Sequence, residues 1–269
     1  MNIIMSLWTK PCTDGKAHGY SSVENMVNSI ILSANVVKQH YENIIFYTDN
    51  LGYKWIEPHL DNLPFKKIEV VMDDINWLED MYWSLGKMYI YSLQKEPFIH
   101  IDNDVFIWQR FTPELLSGDF LFQEIENFHD GIWDFYNKGL KIYGLAIPKE
   151  IEILGAAFNC GVFGCLTQAG LEIIQDYYNI GYKFVKKTKI IPNIEKEAIS
   201  ERALASVIIE QVFIYSLVIS KNMTFNILKY DDRYEYKIQY THQIGPTKRN
   251  EIVEQKIRER IYFKHWTLK

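Results

Sequence analysis

The chain has 269 residues, of which 48% are hydrophobic and 15% aromatic, and its formal net charge is −5. This length and composition provide enough apolar surface for a sizeable core and exclude an intrinsically disordered protein. The acidic balance argues against a dedicated nucleic-acid-binding protein, which usually carries a strong basic excess. No run of residues approaches the roughly 18 apolar residues that a transmembrane helix needs.

Three cysteines, Cys12, Cys160 and Cys165, do not have the spacing of a metal site. A sparse, odd-numbered set is typical of free thiols in a reducing compartment. The apolar start of the chain, Ile3 to Trp8, is too short for a secretory signal and has no basic segment before it. The sequence therefore predicts a cytoplasmic protein.

The first half of the chain alternates between predicted strands and helices. In chain order these are a strand at 2–9, a helix at 21–40 that Ser22 can cap, a strand at 42–50, a short helix at 51–60, a strand at 66–72, a helix at 83–94 and a strand at 97–108. This alternation predicts an α/β fold with a mostly parallel sheet flanked by helices. Ligands in such folds bind beyond the carboxyl ends of the strands, and Asp49, Asp102 and Asp104 all lie at such ends.

The second half is less regular. Strands are predicted at 119–126 and 156–165, and helices at 171–187, 203–221 and 248–266. Residues 127–150 are rich in glycine and aromatic residues, which suggests a long functional loop. Because no repeat or linker is apparent, the sequence favours one domain over residues 1–269.

Two carboxylates interrupt the apolar stretch PFIHIDNDVFIW at Asp102 and Asp104. Residues i and i+2 of a strand face the same side, so both carboxylates can converge on one point. They would repel one another unless a proton or a cation lies between them, and hard oxygen ligands suit Mg²⁺ or Mn²⁺. The alternative interpretation is a solvated turn in which aspartate bonds to nearby backbone.

A second motif, HQIGPTK, has the pattern H-x-x-G-x-x-K at His242, Gly245 and Lys248. The histidine can act as a third, softer metal ligand, which favours Mn²⁺ over Mg²⁺. The glycine would let the backbone approach a ligand closely, and the lysine would place a positive charge beside a phosphate. The alternative is a polar turn whose histidine bonds to backbone.

Taken together, FIHIDNDVFIW and HQIGPTK resemble the GT-A glycosyltransferases. The pattern is most similar to the retaining group that includes glycogenin and the bacterial lipooligosaccharide galactosyltransferases, and to related uncharacterised bacterial proteins. Those families have an N-x-G strand and a D-Q pair between the two motifs. This chain has FNCGVFG with Asn159 and Gly161, then IIEQVF with Glu210 and Gln211. It departs from the pattern at Glu210, where aspartate is usual, and at Arg249 and Asn250, which replace Pro-Trp.

The resemblance implies a GT-A fold and a metal-dependent glycosyltransferase of the hexosyltransferase type. Such an enzyme moves a sugar from a nucleotide sugar, here a UDP-sugar, to a glycan or glycolipid acceptor with retention of configuration. Residues 1–108 would bind the nucleotide, and residues 109–269, which include the C-terminal helix, would bind the acceptor. Mn²⁺, or Mg²⁺, would be held by Asp102, Asp104 and His242, with Gly245 and Lys248 at the diphosphate.

The resemblance also assigns roles to further residues. Asp102 would contact the ribose as well as the metal, and Lys87 would contact sugar or phosphate. Asn159 and Gln211 would bind the donor sugar, and Glu210 would bind sugar or acceptor hydroxyls. These three are the candidate catalytic residues.

Topology and composition indicate the remaining candidates. Thr9, Lys10 and Asp49, at the ends of the first two strands, would surround the base and ribose. The aromatic candidates are Trp8 and Tyr20 for base stacking, and Trp77, Trp83, Trp133, Tyr136 and Tyr143 for an acceptor groove. The basic stretch 182–189 and the C-terminal helix could contact anionic lipid at the inner face of a membrane.

Two other functions are compatible with the sequence. The carboxylates of MDDINWLED, residues 72–80, could serve a different divalent-metal enzyme of phosphoryl or nucleotidyl transfer. A non-catalytic carbohydrate-binding protein on the same fold would explain the aromatic content, but it would not need a diphosphate site. The motifs therefore favour the glycosyltransferase.

Overall fold

The chain folds around a mixed β-sheet in a computed structural model that describes residues 1–15, 18–128, 134, 137, 146–187, 205–228 and 238–267. The strands are β1 (Asn2–Leu7), β2 (Ile44–Thr48), β3 (Lys67–Val70), β4 (Phe98–Ile101), β5 (Val105–Ile107), β6 (Phe120–Asn127), β7 (Ala156–Cys165), β8 (Phe225–Ile227) and β9 (Tyr240–His242). The α-helices of the described residues are α1 (Val23–Lys38), α2 (Asn50–Ile56), α3 (Ser84–Leu93), α4 (Gln168–Lys186), α5 (Phe213–Ser220) and α6 (Glu251–Tyr262). The α/β fold class predicted from the sequence is confirmed.

Seven strands form the main sheet in the order β3-β2-β1-β4-β7-β6-β8. β1 is parallel to β2 and β4, β2 to β3, and β6 to β8, whereas β7 is antiparallel to both of its neighbours. The sheet is therefore mostly parallel, as predicted. The carboxyl ends of β1 to β4 and of β6 lie at one edge, where β7 begins.

Both faces of the main sheet are covered. Alternate residues of a strand face opposite sides, and in β1 Ile4 packs in one hydrophobic cluster while Ile3 and Met5 pack in another. The first cluster includes the buried sides of α3, α4 and α5, and the second includes that of α1. Covering on both faces is what parallel strands require.

The predicted strand at 97–108 is in fact two strands, so the prediction of one continuous strand was wrong. β4 ends at Ile101 in the main sheet, and β5 begins at Val105 in a two-stranded sheet with β9. Val105 N donates to Asp102 O at 3.0 Å and closes the turn between them. Asn103 Nδ2 donates to Ser6 O at 2.8 Å. The turn bond and this bond to the end of β1 interrupt the ladder of the sheet between Ile101 and Val105.

The C-terminal helix is shorter than the predicted 248–266. α6 begins at Glu251, where the Asn250 side chain accepts hydrogen bonds from the amides of Ile252 and Val253. Residues Gly245–Arg249 form a 3₁₀ turn instead. The predicted loop at 127–150 lies largely outside the described residues.

In the described ranges, no helix is both long enough and apolar enough to span a bilayer. The three cysteines are free, as their odd number predicts, and all three are buried. Burial raises the pKa of the Cys12 and Cys165 thiols to about 12. The cytoplasmic location and the division of the chain at residue 108 stay predictions.

Candidate active site

A cavity of about 650 Å³ opens at the carboxyl edge of the main sheet. Its wall includes the turn between β4 and β5, with Asp102, Asn103 and Asp104. Ser29 Oγ on α1 donates to Asn103 O at 2.8 Å and holds the turn from behind. Both aspartates therefore face one cavity from the turn that directly follows the end of β4.

Asp102 belongs to an ion cluster with Lys87 and Glu210, called the Lys87 cluster below. Lys87 Nζ on α3 lies 2.8 Å from an Asp102 carboxylate oxygen and 2.6 Å from Glu210 Oε1. The Glu210 side chain is 2% exposed. Burial raises the pKa of both carboxyl groups, and the charge of Lys87 offsets this only in part. Burial also opposes the charge of Lys87, but the two carboxylates hold its pKa above the ordinary value.

His100 supports Asp102 from inside the sheet, and no motif pointed to it. Its Nδ1 lies 3.6 Å from Asp102 Oδ1, and its Nε2 lies 3.1 Å from Ser6 Oγ. Burial, together with the nearby charge of Lys87, lowers the pKa of this imidazole well below the ordinary value. A neutral histidine thus lies directly behind the first aspartate.

Asp104 belongs to a second ion cluster with His242 and Lys248, called the Lys248 cluster. The pairing of β9 with β5 places His242 opposite Val105 and so next to Asp104. Lys248 Nζ is 2.5 Å from Asp104 Oδ2, and His242 Nε2 is 3.6 Å from Asp104 Oδ1. Burial opposes the charge of Asp104, but the adjacent His242 side chain and the charge of Lys248 hold its pKa below the ordinary value.

Gly245 turns the chain from β9 back to Lys248. Its φ is 55°, in the left-handed region that favours glycine. No atom lies within 4 Å of a Cβ added at this position. The backbone angle therefore favours glycine here, whereas the close approach to a ligand predicted for it stays a prediction.

The wall beside Lys248 is formed by residues 18–20, of which only Tyr20 was expected at the site. His18 and Gly19 have φ angles of 48° and 87°, and both line the cavity. Lys248 Nζ lies 3.4 Å from His18 O and 5.4 Å from the centre of the Tyr20 ring. No sequence motif marks residues 18 and 19, because their contribution depends on a loop whose shape comes from tertiary contacts.

Glu210 and Gln211 both line the cavity although they are adjacent in sequence. Adjacent residues of an α-helix diverge by about 100°. Residues Ile208–Val212 form a π-helical turn, in which Phe213 N donates to Ile208 O. This wider turn, a type that is frequent at functional sites, explains how both side chains reach the same space.

Asn159 and Gly161 line the cavity at the start of β7, as predicted. Asn159 Nδ2 donates to Glu126 Oε1 at 2.8 Å, and Gly161 N donates to Asn159 Oδ1 at 3.1 Å. A Cβ added to Gly161 would lie 2.4 Å from Gln123 Oε1 and 2.8 Å from His242 Cε1. Close approach therefore requires this glycine. Glu126, at the end of β6, is a wall residue that sequence reasoning missed.

Thr9, Lys10 and Asp49 do not line the cavity, and their contact with the nucleotide stays a prediction. Asp49 caps α2, accepting from Gly52 N at 2.8 Å, and it also accepts from Thr9 N and Oγ1 at 2.8 and 2.7 Å. Lys10 Nζ donates to Asn76 O. Asp49 follows the end of β2 as predicted, but its carboxylate caps α2 and accepts from Thr9.

The predicted aromatic candidates separate into three sets. Trp8, Tyr20 and Trp83 line the cavity. Trp77 is 49% exposed and packs edge-on against Tyr182 at 5.3 Å between ring centres. Trp133, Tyr136 and Tyr143 lie outside the described residues.

The side chains predicted as metal ligands all line the cavity, and two carboxylates with an imidazole suit Mn²⁺ or Mg²⁺. His242 Nδ1 is buried and has no hydrogen-bond partner within the described ranges. Among those residues, however, no three His, Cys, Asp or Glu side chains are grouped as a metal site. Asp104 and His242 are neighbours, whereas Asp102 is directed to Lys87. The donor set fits a divalent ion, but the predicted three-ligand group is not assembled.

Several solved structures resemble the chain. They include mouse xyloside xylosyltransferase 1 in its apo form, with a TM-score of 0.45 and 9% identity over 85% of this chain and 84% of that one. Galactosyltransferase LgtC in complex with donor and acceptor sugar analogs has a TM-score of 0.45 and 13% identity over 98% and 96%. The inositol-1-phosphate CTP transferase from T. maritima has a TM-score of 0.44 and 12% identity over 97% and 95%.

A comparison with curated protein sequences finds no significant match. A family model described as a family of unknown function (DUF6734) matches residues 1–267, and the chain therefore belongs to that family.

Proposed function

We propose that the chain is a metal-dependent glycosyltransferase that moves a sugar from a UDP-sugar to a glycan or glycolipid acceptor with retention. The observation that carries this proposal is that groups far apart in sequence line one cavity. They are Asp102, Asp104, Asn159, Gly161, Glu210, Gln211, His242, Gly245 and Lys248. Their types and order match the motifs that resemble the retaining GT-A enzymes. The cavity volume of about 650 Å³ lies in the range of small-molecule sites.

The Lys248 cluster is suited to the diphosphate. Asp104 and His242, joined by Asp102, would hold Mn²⁺ or Mg²⁺. The ion would supply positive charge to the diphosphate as it leaves the sugar. Lys248 would bind the same diphosphate, exchanging its contact with Asp104 for one with a phosphate oxygen, and would stabilise the charge that develops there.

Glu126, Asn159, Glu210 and Gln211 form what we call the sugar end of the cavity. Gln211 Oε1 is buried and has no hydrogen-bond partner in the described part of the chain, so its amide is available to a sugar hydroxyl. Glu210 is 2% exposed and accepts from Lys87 at 2.6 Å. This contact supports a positioning role for Glu210 and not that of a base. A retaining enzyme can do without such a base, because the leaving phosphate can take the acceptor proton on the same face.

Nucleotide binding with and without the metal tests the proposal. The stability of the protein would be measured by thermal shift with UDP, GDP, CDP and uridine, each with and without Mn²⁺. A ligand at 100 times its Kd stabilises by about 2.7 kcal/mol, so we expect a clear Mn²⁺-dependent shift with UDP. Asp104→Asn should remove the metal dependence, whereas Asp176→Asn, an exposed change on α4, should preserve it.

The chemical step needs its own measurement. Incubation with UDP-glucose or UDP-galactose, Mn²⁺ and an oligosaccharide acceptor should release UDP as the sugar passes to an acceptor hydroxyl. NMR of the glycoside product should show the donor's anomeric configuration. An inverted product, with activity lost in Glu210→Gln, would contradict retention and leave the metal proposal standing. Release of pyrophosphate from a nucleoside triphosphate would instead indicate a nucleotidyltransferase. Glycan binding without nucleotide or metal dependence would indicate a binding protein.

A further inference from the structure

Glu126 is a cavity carboxylate to which no motif pointed. It lies opposite Ala157 in the antiparallel pairing of β6 with β7. Its Oε1 accepts from Asn159 Nδ2 at 2.8 Å, and the Asn159 Oδ1 accepts from Gly161 N at 3.1 Å. The second bond fixes which end of the Asn159 amide faces Glu126. The carboxylate is thereby held in place at the sugar end of the cavity.

The side chains at the sugar end present hydrogen-bond acceptors, so a ligand that binds there should supply donors. Gln211 Oε1 is buried without a partner among the described residues, and Glu126 accepts one hydrogen bond there, from Asn159. An ionised carboxylate can accept several bonds and donates none. A buried acceptor without a donor is costly, and the hydroxyl groups of a sugar are donors of the right kind.

The same end has no described cation available for an anionic ligand. Of the two lysines that line the cavity, Lys87 is bonded to Asp102 and Glu210 at 2.8 and 2.6 Å. Lys248 is bonded to Asp104 in the other cluster. A carboxylate on the ligand would therefore face the charge of Glu126, which accepts from Asn159 and pairs with no cation among the described residues. Its desolvation would be opposed by that like charge.

We propose that Glu126 is a specificity-determining residue that admits an uncharged donor sugar and excludes a sugar that carries a carboxylate. The inference rests on the proposed function, because it takes the ligand to be a nucleotide sugar. It adds the class of sugar: a neutral hexose or pentose, bound through hydroxyls that donate to Glu126 and Gln211. A hexuronic acid has the same ring as a neutral hexose but carries a charged carboxylate in place of the hydroxymethyl group.

The test compares UDP, UDP-glucose, UDP-galactose and UDP-glucuronate as ligands by isothermal titration calorimetry with Mn²⁺. The variant is Glu126→Gln, whose amide oxygen can still accept from Asn159, so the fold and the position of Asn159 are preserved. The matched control is Glu172→Gln, which removes the same charge from the exposed side of α4. Circular dichroism and thermal unfolding would check that each variant is folded.

The wild-type protein should bind both neutral UDP-sugars at least tenfold more tightly than UDP-glucuronate. Glu126→Gln should reduce that ratio severalfold, mainly by tighter binding of UDP-glucuronate, with UDP affinity changed less than twofold. Glu172→Gln should leave the ratio unchanged. Equal affinity for both sugar classes in the wild type, or the same ratio in Glu126→Gln, would overturn this inference alone. Absence of UDP binding would overturn the proposed function and this inference with it.

Discussion

The two ion clusters of the cavity contain similar groups but differ in what holds them. The Lys87 cluster joins α3, the turn after β4 and the π-helical turn, all in the body of the fold, and its carboxyl pKa values are raised by burial. The Lys248 cluster depends on the two-stranded sheet of β5 and β9, and Asp104 has a lowered pKa. The comparison teaches that Asp102 is paired with a lysine in the body of the fold, whereas Asp104 is paired with Lys248 on a peripheral element, where a ligand could share the lysine's charge. The predictions below test this difference.

The largest effect is expected for Lys87→Met, which would leave Asp102 and Glu210 buried without their cation. Removing one partner of a buried ion pair costs about 3–5 kcal/mol, so the free energy of unfolding should fall by that amount in urea titrations at pH 7. Lys183→Met, on the exposed side of α4, should change it by less than about 0.5 kcal/mol. A loss below about 1 kcal/mol for Lys87→Met would contradict a structural role for this cluster.

Lys248→Ala should affect ligand binding more than stability. Loss of a charge-assisted contact costs about 1.5–3 kcal/mol, so the Kd for UDP with Mn²⁺ should rise roughly tenfold to a hundredfold. Uridine lacks the diphosphate, and its affinity should change little. Lys256→Ala, exposed on α6, is the control. Equal losses for UDP and uridine would count against a phosphate contact by Lys248.

Low pH should reduce the contribution of the Lys248 cluster to the stability of the protein. The pKa of Asp104 is lower in the folded protein than in the unfolded chain, so its contribution to stability is present above about pH 4 and is lost as pH falls below that value. One group can contribute a slope no steeper than about 1.4 kcal/mol per pH unit. The stability difference between wild type and Asp104→Asn should therefore shrink between pH 5 and pH 3. A constant difference across this range would mean that Asp104 does not titrate as inferred.

The smallest effect is expected for Gly245→Ala. Its φ of 55° costs a side chain about 1 kcal/mol, and the open space around it adds no clash. Gly155→Ala is a matched control, because its φ is 76° and its surroundings are also open. Both variants should lose similar stability, but only Gly245→Ala should weaken UDP binding, by a few-fold. Similar UDP affinity in the two variants would indicate that the turn at Gly245 does not position Lys248.

Much of the site could be predicted because its motifs are local. Asp102 and Asp104 belong to one short turn, and His242 at the end of β9 is only six residues from Lys248 in the next turn, so spacing within each motif was informative. The break of the strand at Asn103 could not be predicted, since it depends on a bond to Ser6, almost a hundred residues earlier.

The role of other residues could not be predicted, because it depends on how neighbouring strands pair. Glu126 reaches the cavity through its pairing with β7, and a bulge between Phe122 and Glu124 shifts that register. Periodicity within β6 cannot reveal a shift that its partner imposes. Asp49 shows the opposite error: its place at a strand end was right, but capping of α2 uses its carboxylate.

The position of the Lys248 cluster in the chain has a consequence for synthesis. A ribosome adds on the order of 5–20 residues per second, so roughly 7 to 30 seconds separate the synthesis of Asp104 from that of Lys248. The parallel strands β1 to β4 can pair during this interval, while β9, which pairs with β5, has yet to be made. The nascent chain therefore holds Asp104 without Lys248 throughout this interval, whereas Lys87, the partner of Asp102, has already been made. The cavity becomes complete only after strands β1 to β9 have been made.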